Sequence, residues 1–152
     1  MDKEELKIKI SKLLPTAVYE DGGDWLNIIV DSNKWLSYAA ILKNDGSLLF
    51  DYLFCLTCID WKTHLTMVYH LSSTKYRYNI VVKSNLDINT PKIETVSQIW
   101  QTANFHEREV YEMFGVNFLN HKDLRLLILP DGWEGKNPLR KDFEDLINMI
   151  KL

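Results

Sequence analysis

Leu65-Thr66-Met67-Val68-Tyr69-His70-Leu71-Ser72-Ser73-Thr74-Lys75-Tyr76-Arg77-Tyr78-Asn79-Ile80-Val81-Val82 decides the fold class. Two runs rich in aromatic and β-branched residues, Leu65 to Leu71 and Tyr76 to Val82, read as strands. Ser72-Ser73-Thr74-Lys75 between them is of hairpin length. So short a link cannot make a parallel crossover, so this couple pairs antiparallel. Thr57 to Trp61 reads as a third strand of the same texture.

On the N-terminal side, residues 2–14 place Leu6, Ile10, Leu13 and Leu14 at helical spacing, with Pro15 as a stop. Asp21-Gly22-Gly23-Asp24 is a turn, and Trp25 to Val30 is a strand candidate. Asp31 or Ser32 can cap a helix over 33–43, which Asn44-Asp45-Gly46-Ser47 ends. On the C-terminal side, Thr95-Val96-Ser97-Gln98 matches a capping box, and Asn104-Phe105-His106-Glu107 repeats it with Asn as cap. Gly115 suits a left-handed helix end, giving a helix over 105–114. The expected class is α+β: a small, mainly antiparallel or mixed sheet with helices on one face.

From Val116 to Phe143 periodicity fails. An irregular stretch this long is usually functional or disordered, and Trp133, Leu139 and Phe143 need burial, so a partner surface is the expected cover. The reading divides a core, residues 1–118, from an extended partner-binding segment, residues 119–152.

Lys plus Arg number 18 against 21 Asp plus Glu, a formal charge of −3 over 152 residues. That balance argues against a nucleic-acid binder. Apolar residues are 46% and charged ones 26%, which disfavours disorder. No apolar run approaches the roughly 18 residues of a membrane helix. The charged start Met1-Asp2-Lys3-Glu4-Glu5 does not read as a signal peptide, and 2 Cys cannot build a secreted disulfide framework. A soluble intracellular domain is expected.

Cys55-Leu56-Thr57-Cys58 invites zinc or thiol chemistry, with His64 and His70 as conceivable co-ligands. It enters a strand, where residues three apart face opposite sides, rather than a helix N-terminus, so buried apolar thiols are the preferred reading. His106-Glu107-Arg108-Glu109, followed by Glu112, lacks the second His of a zinc-protease motif, since position 110 is Val. Glu107 and Glu109 suit a first turn, and Arg108 reaches Glu112 at i, i+4. Arg108 flanked by two Glu also makes an ion-pair surface suited to a partner's Arg or Lys. Gly132-Trp133-Glu134-Gly135-Lys136 fails the phosphate-loop spacing and is rejected.

Read in order, Glu107-Arg108-Glu109, Glu112-Met113-Phe114, His121, Arg125 and Leu127-Ile128 resemble the signature of the C subunit (30-kDa type) of respiratory complex I, the NADH:quinone oxidoreductase. Trp100 to Phe105 upstream, then Leu129 to Gly135 and Pro138 to Phe143 downstream, extend the resemblance, and Leu48 to Asp51 and Ile59-Asp60-Trp61 carry it further back. Departures are Asn120-His121-Lys122, where a Gly-His-Pro type turn is common, and Leu126, where a second Arg often sits.

The resemblance implies a peripheral-arm subunit of a proton-translocating complex in the respiratory electron-transport chain. It would lie on the cytoplasmic side of a bacterial inner membrane, docked on the large D (49-kDa type) subunit that helps form the quinone site. It implies no cofactor in this chain; NADH, FMN, iron–sulfur clusters and quinone would belong to partner subunits, including neighbouring iron–sulfur subunits. Its implied interface residues are Glu107, Arg108, Glu109, Glu112, Arg125, Trp133, Arg140, Lys141 and Asp142. Two other readings stay open: the equivalent subunit of a membrane-bound hydrogenase or other-donor dehydrogenase, and, in a different class, a thiol or metal protein using Cys55, Cys58 and His106.

Overall fold

A computed structural model describes residues 2–145. Helix α1, Lys3–Leu13, opens with a capping box in which Asp2 and Glu5 satisfy each other's backbone N–H. Strands β1, Val18–Glu20, and β2, Leu26–Ile29, follow as an antiparallel pair. Helix α2 spans Trp35–Asn44. Strands β3, Tyr52–Asp60, β4, His64–Ser72, and β5, Asn79–Asp87, make the long meander. Then come β6, Lys92–Glu94, helix α3, Ala103–Phe114, and β7, Asn117–Leu119.

The main sheet runs β1-β2-β5-β4-β3, antiparallel except for the parallel pair β2–β5. It is therefore mixed, and the fold is α+β as the sequence predicts. One sheet face carries Leu26, Ile28, Leu53, Leu65, Met67, Tyr69, Ile80 and Val82, all buried with Leu6 and Ile10 of α1, Trp35 and Leu42 of α2, and Val110 of α3. At its centre Trp35 is fully buried, its ring 4.8 Å from Tyr69 and stacked 6.1 Å from Trp100. The Trp100 indole N–H donates to the Phe50 carbonyl at 2.8 Å.

Several sequence expectations need correction. The β4–β5 link is six residues, 73–78, because Tyr76 and Tyr78 leave the ladder, stack on each other and donate their hydroxyls to the Gly46 and Ser47 carbonyls. Strand β3 starts five residues before the predicted run. Three-residue strands β1, β6 and β7 escape pattern reading altogether.

The helix caps differ as well. Lys34, with no side-chain bond, occupies the α2 cap in place of Asp31 or Ser32. No helix starts at Thr95. α3 begins at Ala103, so Asn104 lies inside it and neither Glu107 nor Glu109 is in its first turn. The reason is competition: the Thr95 hydroxyl binds a buried carboxylate instead of serving a helix. Gly115 ends α3 at φ +79° in the left-handed region, as predicted.

The parallel pair β6–β7, prolonged by the Thr95 N–H donating to the Leu119 carbonyl, delivers the chain to the flank of α3. Residues 120–145 contain no helix or strand. Residues 146–152 of the predicted 119–152 segment lie outside the described residues.

Candidate functional site

Two side chains one helical turn apart on α3 hold a strap of main chain. The Glu112 carboxylate, 1% exposed, accepts the N–H groups of Leu127 at 2.8 Å, Ile128 at 2.9 Å and Leu129 at 3.2 Å. The Arg108 guanidinium, 5% exposed, donates to the carbonyls of Arg125 at 3.1 Å and Leu126 at 2.6 Å. Five backbone polar groups on five successive residues, which no sheet pairs, are thus satisfied by two charges. Leu127 and Ile128 remain 39% and 61% exposed. Arg108 also lies 5.8 Å from the exposed Phe105 ring.

A second anchor follows the loop. Leu139 donates its N–H to the Met113 carbonyl at 3.0 Å. The largely buried Arg140 donates to the carbonyls of Phe114 and Ile88, both at 3.2 Å. The Lys141 N–H reaches Asp60 Oδ2 at 2.8 Å while Lys62 N–H holds Oδ1 at 2.7 Å. Burial works against the Asp60 charge, but those two N–H groups and the nearby Arg140 outweigh it and hold the carboxyl below its usual range.

Between the anchors, Asn137 seats against Gly115: a Cβ there would lie 2.5 Å from Asn137 Nδ2. Trp133 packs at 6.4 Å on Phe143 with Lys136 4.7 Å above its ring. Both rim an open groove of about 860 Å³ together with Ile88, Gly115 and Arg140.

The sequence-named residues therefore divide. Glu107, Arg108 and Glu112 are buried, so they do not form an ion-pair surface, and Arg108 does not pair with Glu112. Arg140 is largely buried; Glu109 and Trp133 are half-buried; Arg125, Lys141 and Asp142 are exposed. The Arg125 side chain turns outward to Asp123 at 2.8 Å. Asp60, Asn137 and His121 belong to the anchoring arrangement too, and of these only the His121 and Asp60 motifs gave any signal. At the Gly-His-Pro departure, Asn120 adopts φ +64°, which Asn tolerates, and donates to Glu94 at 2.8 Å.

Glu107 holds neither anchor. Its fully buried carboxyl accepts the Thr95 hydroxyl at 2.5 Å and the Val96 N–H at 2.8 Å. Burial pushes it up to about 7, with those two bonds working the other way. The folded chain thus holds this proton more tightly than the unfolded one. The resulting stabilisation is full below the ordinary carboxylate range and is lost as pH rises through about 7. Urea unfolding at pH 5 and at pH 8 should show a loss on the order of 3 kcal/mol from this group, absent in Glu107→Gln.

The two cysteines sit on β3, Cys58 buried and Cys55 half-buried. Burial, then the Asp60 charge, push the Cys58 thiol up to about 12 despite Arg140, so it is a poor nucleophile. Among the described residues no group of three His, Cys, Asp or Glu side chains could hold a metal, and no helix is long and apolar enough to cross a membrane.

Residues 28–146 match the model of the respiratory-chain NADH dehydrogenase 30 kDa subunit. The chain belongs to that family. Relatives of the family carry different donors in their names. The C subunit of the F420H2 dehydrogenase of Methanosarcina mazei is 35% identical over 97% of this chain and 96% of its own length. The C/D subunit of an NADH-quinone oxidoreductase of Phocaeicola vulgatus is 43% identical over 67% of this chain, which spans only 20% of that longer protein. A chain in the structure of the membrane-bound sulfane sulfur reductase, an archaeal respiratory membrane complex, superposes with TM-score 0.82 at 29% identity, covering 94% of this chain and 86% of that one. This chain is accordingly a complex I 30 kDa-type subunit, with an α+β fold shared across respiratory complexes.

Proposed function

We propose that the chain is a non-catalytic docking subunit of the peripheral arm, on the cytoplasmic face of the membrane, seated on the large quinone-site D subunit. The observation carrying this reading is the strap. Two charges are buried to fix a segment whose apolar side chains, Leu127 and Ile128, face outward. Desolvating a carboxylate and a guanidinium costs several kcal/mol, which bound backbone only partly returns, so the strap's shape is the product. Apolar side chains on a rigid main chain are the kind of anchor a protein interface uses. The relative that joins C and D in one name supports the choice of partner.

In this reading Arg108, Glu112 and Arg140 act through the tail they hold, Glu107 is buried behind them, and Glu109, Arg125, Trp133, Lys141 and Asp142 remain for direct contact. No cofactor is assigned to this chain; NADH, FMN, iron–sulfur clusters and quinone fall to partner subunits. A second reading, a complex using another electron donor, is favoured by the F420H2 dehydrogenase likeness and leaves the docking role unchanged.

Charge reversal at Arg108 is a poor test, because it would release the strap itself. The Leu127→Asp/Ile128→Asp double variant leaves both clamps in place. It should keep its circular dichroism and urea midpoint yet lose at least tenfold in affinity for the D subunit in a co-purification titration. Undiminished capture would refute docking through the strap.

A further inference from the structure

Glu107 is enclosed by three elements beside its own helix. From β4 comes Tyr69, a fully buried phenol whose ionisation is opposed by burial first, and then by the charges of Glu107 and of Cys58 on β3. From the loop after β6 come Thr95 and, 2.8 Å further, the half-buried Ser97 hydroxyl, a path by which a proton can leave. From the tail comes His121, almost fully buried, its Nε2 3.6 Å from Glu107 Oε2. On α3, Arg108 turns to the tail carbonyls, and beyond His121 the Asp123 carboxylate is bound to Arg125. Among the described residues, His121 is the side chain at ion-pair distance from this carboxyl.

The hydrogen bonds of that imidazole fix its neutral tautomer. Its Nδ1 accepts the Asp123 N–H at 3.0 Å, which assigns the ring proton to Nε2, facing the Asn104 carbonyl at 3.3 Å and Glu107. An imidazolium would carry a proton on both nitrogens and forfeit the Asp123 bond.

We propose that Glu107 is a proton-operated latch on the tail: protonated, it lies dry beneath His121; ionised, it opens the His121–Asp123 turn. A buried carboxylate without a cation is relieved by water or by moving a proton to His121, and both break that same turn. Tyr69 sits in a ladder paired on both sides, whereas residues 120–123 lie in irregular backbone, so the tail is the cover that yields. The tightly held proton described above is what such an enclosure produces. The latch stands independently of the docking reading.

The test is amide hydrogen exchange on the full chain from pH 5 to 8, with intrinsic rates divided out. In the wild type, the opening constant for amides of residues 121–129 should rise by up to about tenfold per pH unit between pH 5 and 7, then level off. This opening should be insensitive to sub-denaturing urea, and the pH slope should vanish in Glu107→Gln. A flat wild-type profile, a slope surviving in Glu107→Gln, or exchange through global unfolding alone would overturn the latch. Should the Gln variant not fold, the Glu107 carboxyl carbon resonance decides. Titration in step with the tail amides supports the latch, and titration in the ordinary carboxylate range, apart from them, overturns it.

Discussion

Glu112→Ala is expected to lower the unfolding free energy by about 3 kcal/mol and to expose residues 122–130 to limited proteolysis. Three N–H groups lose one carboxylate, and each bond to a charged partner is worth roughly 1.5–3 kcal/mol. The total stays below their sum because the freed strap is rehydrated. Arg108 cannot compensate, since it holds carbonyls on the other side of the strap. By contrast, Asp123→Ala breaks an ion pair that is largely exposed on both sides, and it should leave the urea midpoint nearly unchanged. Urea denaturation of both variants with a protease time course makes the comparison. Equal, small effects would mean that the strap is not held by Glu112.

Trp35→Ala should be the most damaging single change in the core, at about 3–5 kcal/mol. The side chain is fully buried between Tyr69 and Trp100, and no neighbour can collapse far into the space it leaves. The effect also reaches the site, because the Tyr69 phenol feels the Glu107 charge and Trp100 fixes the chain that enters α3. Trp61→Ala, which removes an indole 53% exposed, should stay within about 1 kcal/mol. Thermal unfolding of the pair should therefore separate by well over 5 °C. Similar melting would contradict the packing described.

The meander was legible in the sequence because Leu65 to Leu71 and Tyr76 to Val82 are rich in aromatic and β-branched residues, which fit a pleated, packed surface. Gly115 was legible because few residues accept its backbone angles. Thr95 and Asn104 misled for different reasons. A hydroxyl before a helix is a cap only if nothing stronger competes, and Glu107, twelve residues beyond Thr95, does, whereas Asn104 is already inside a helix that starts at Ala103.

The site was half legible. The ordered motif pointed at α3 and the tail. It could not say that Glu107, Arg108 and Glu112 point inward, because period-based reading treats a charge as solvated. Burial of an ion depends on partners far along the chain, here the peptides at 125–129 and the hydroxyl at 95, and those enter only when the fold closes.

The two clamps grip the strap by its peptide atoms. At positions 127 and 128, whose side chains are exposed, any amino acid except proline, which offers no hydrogen to donate, can stand without loosening that grip. The same mount can therefore present a different set of side chains to a different neighbour, much as one tool holder accepts interchangeable bits. Assemblies fed by unlike electron sources could retune this contact by local substitution, leaving the scaffold beneath it untouched.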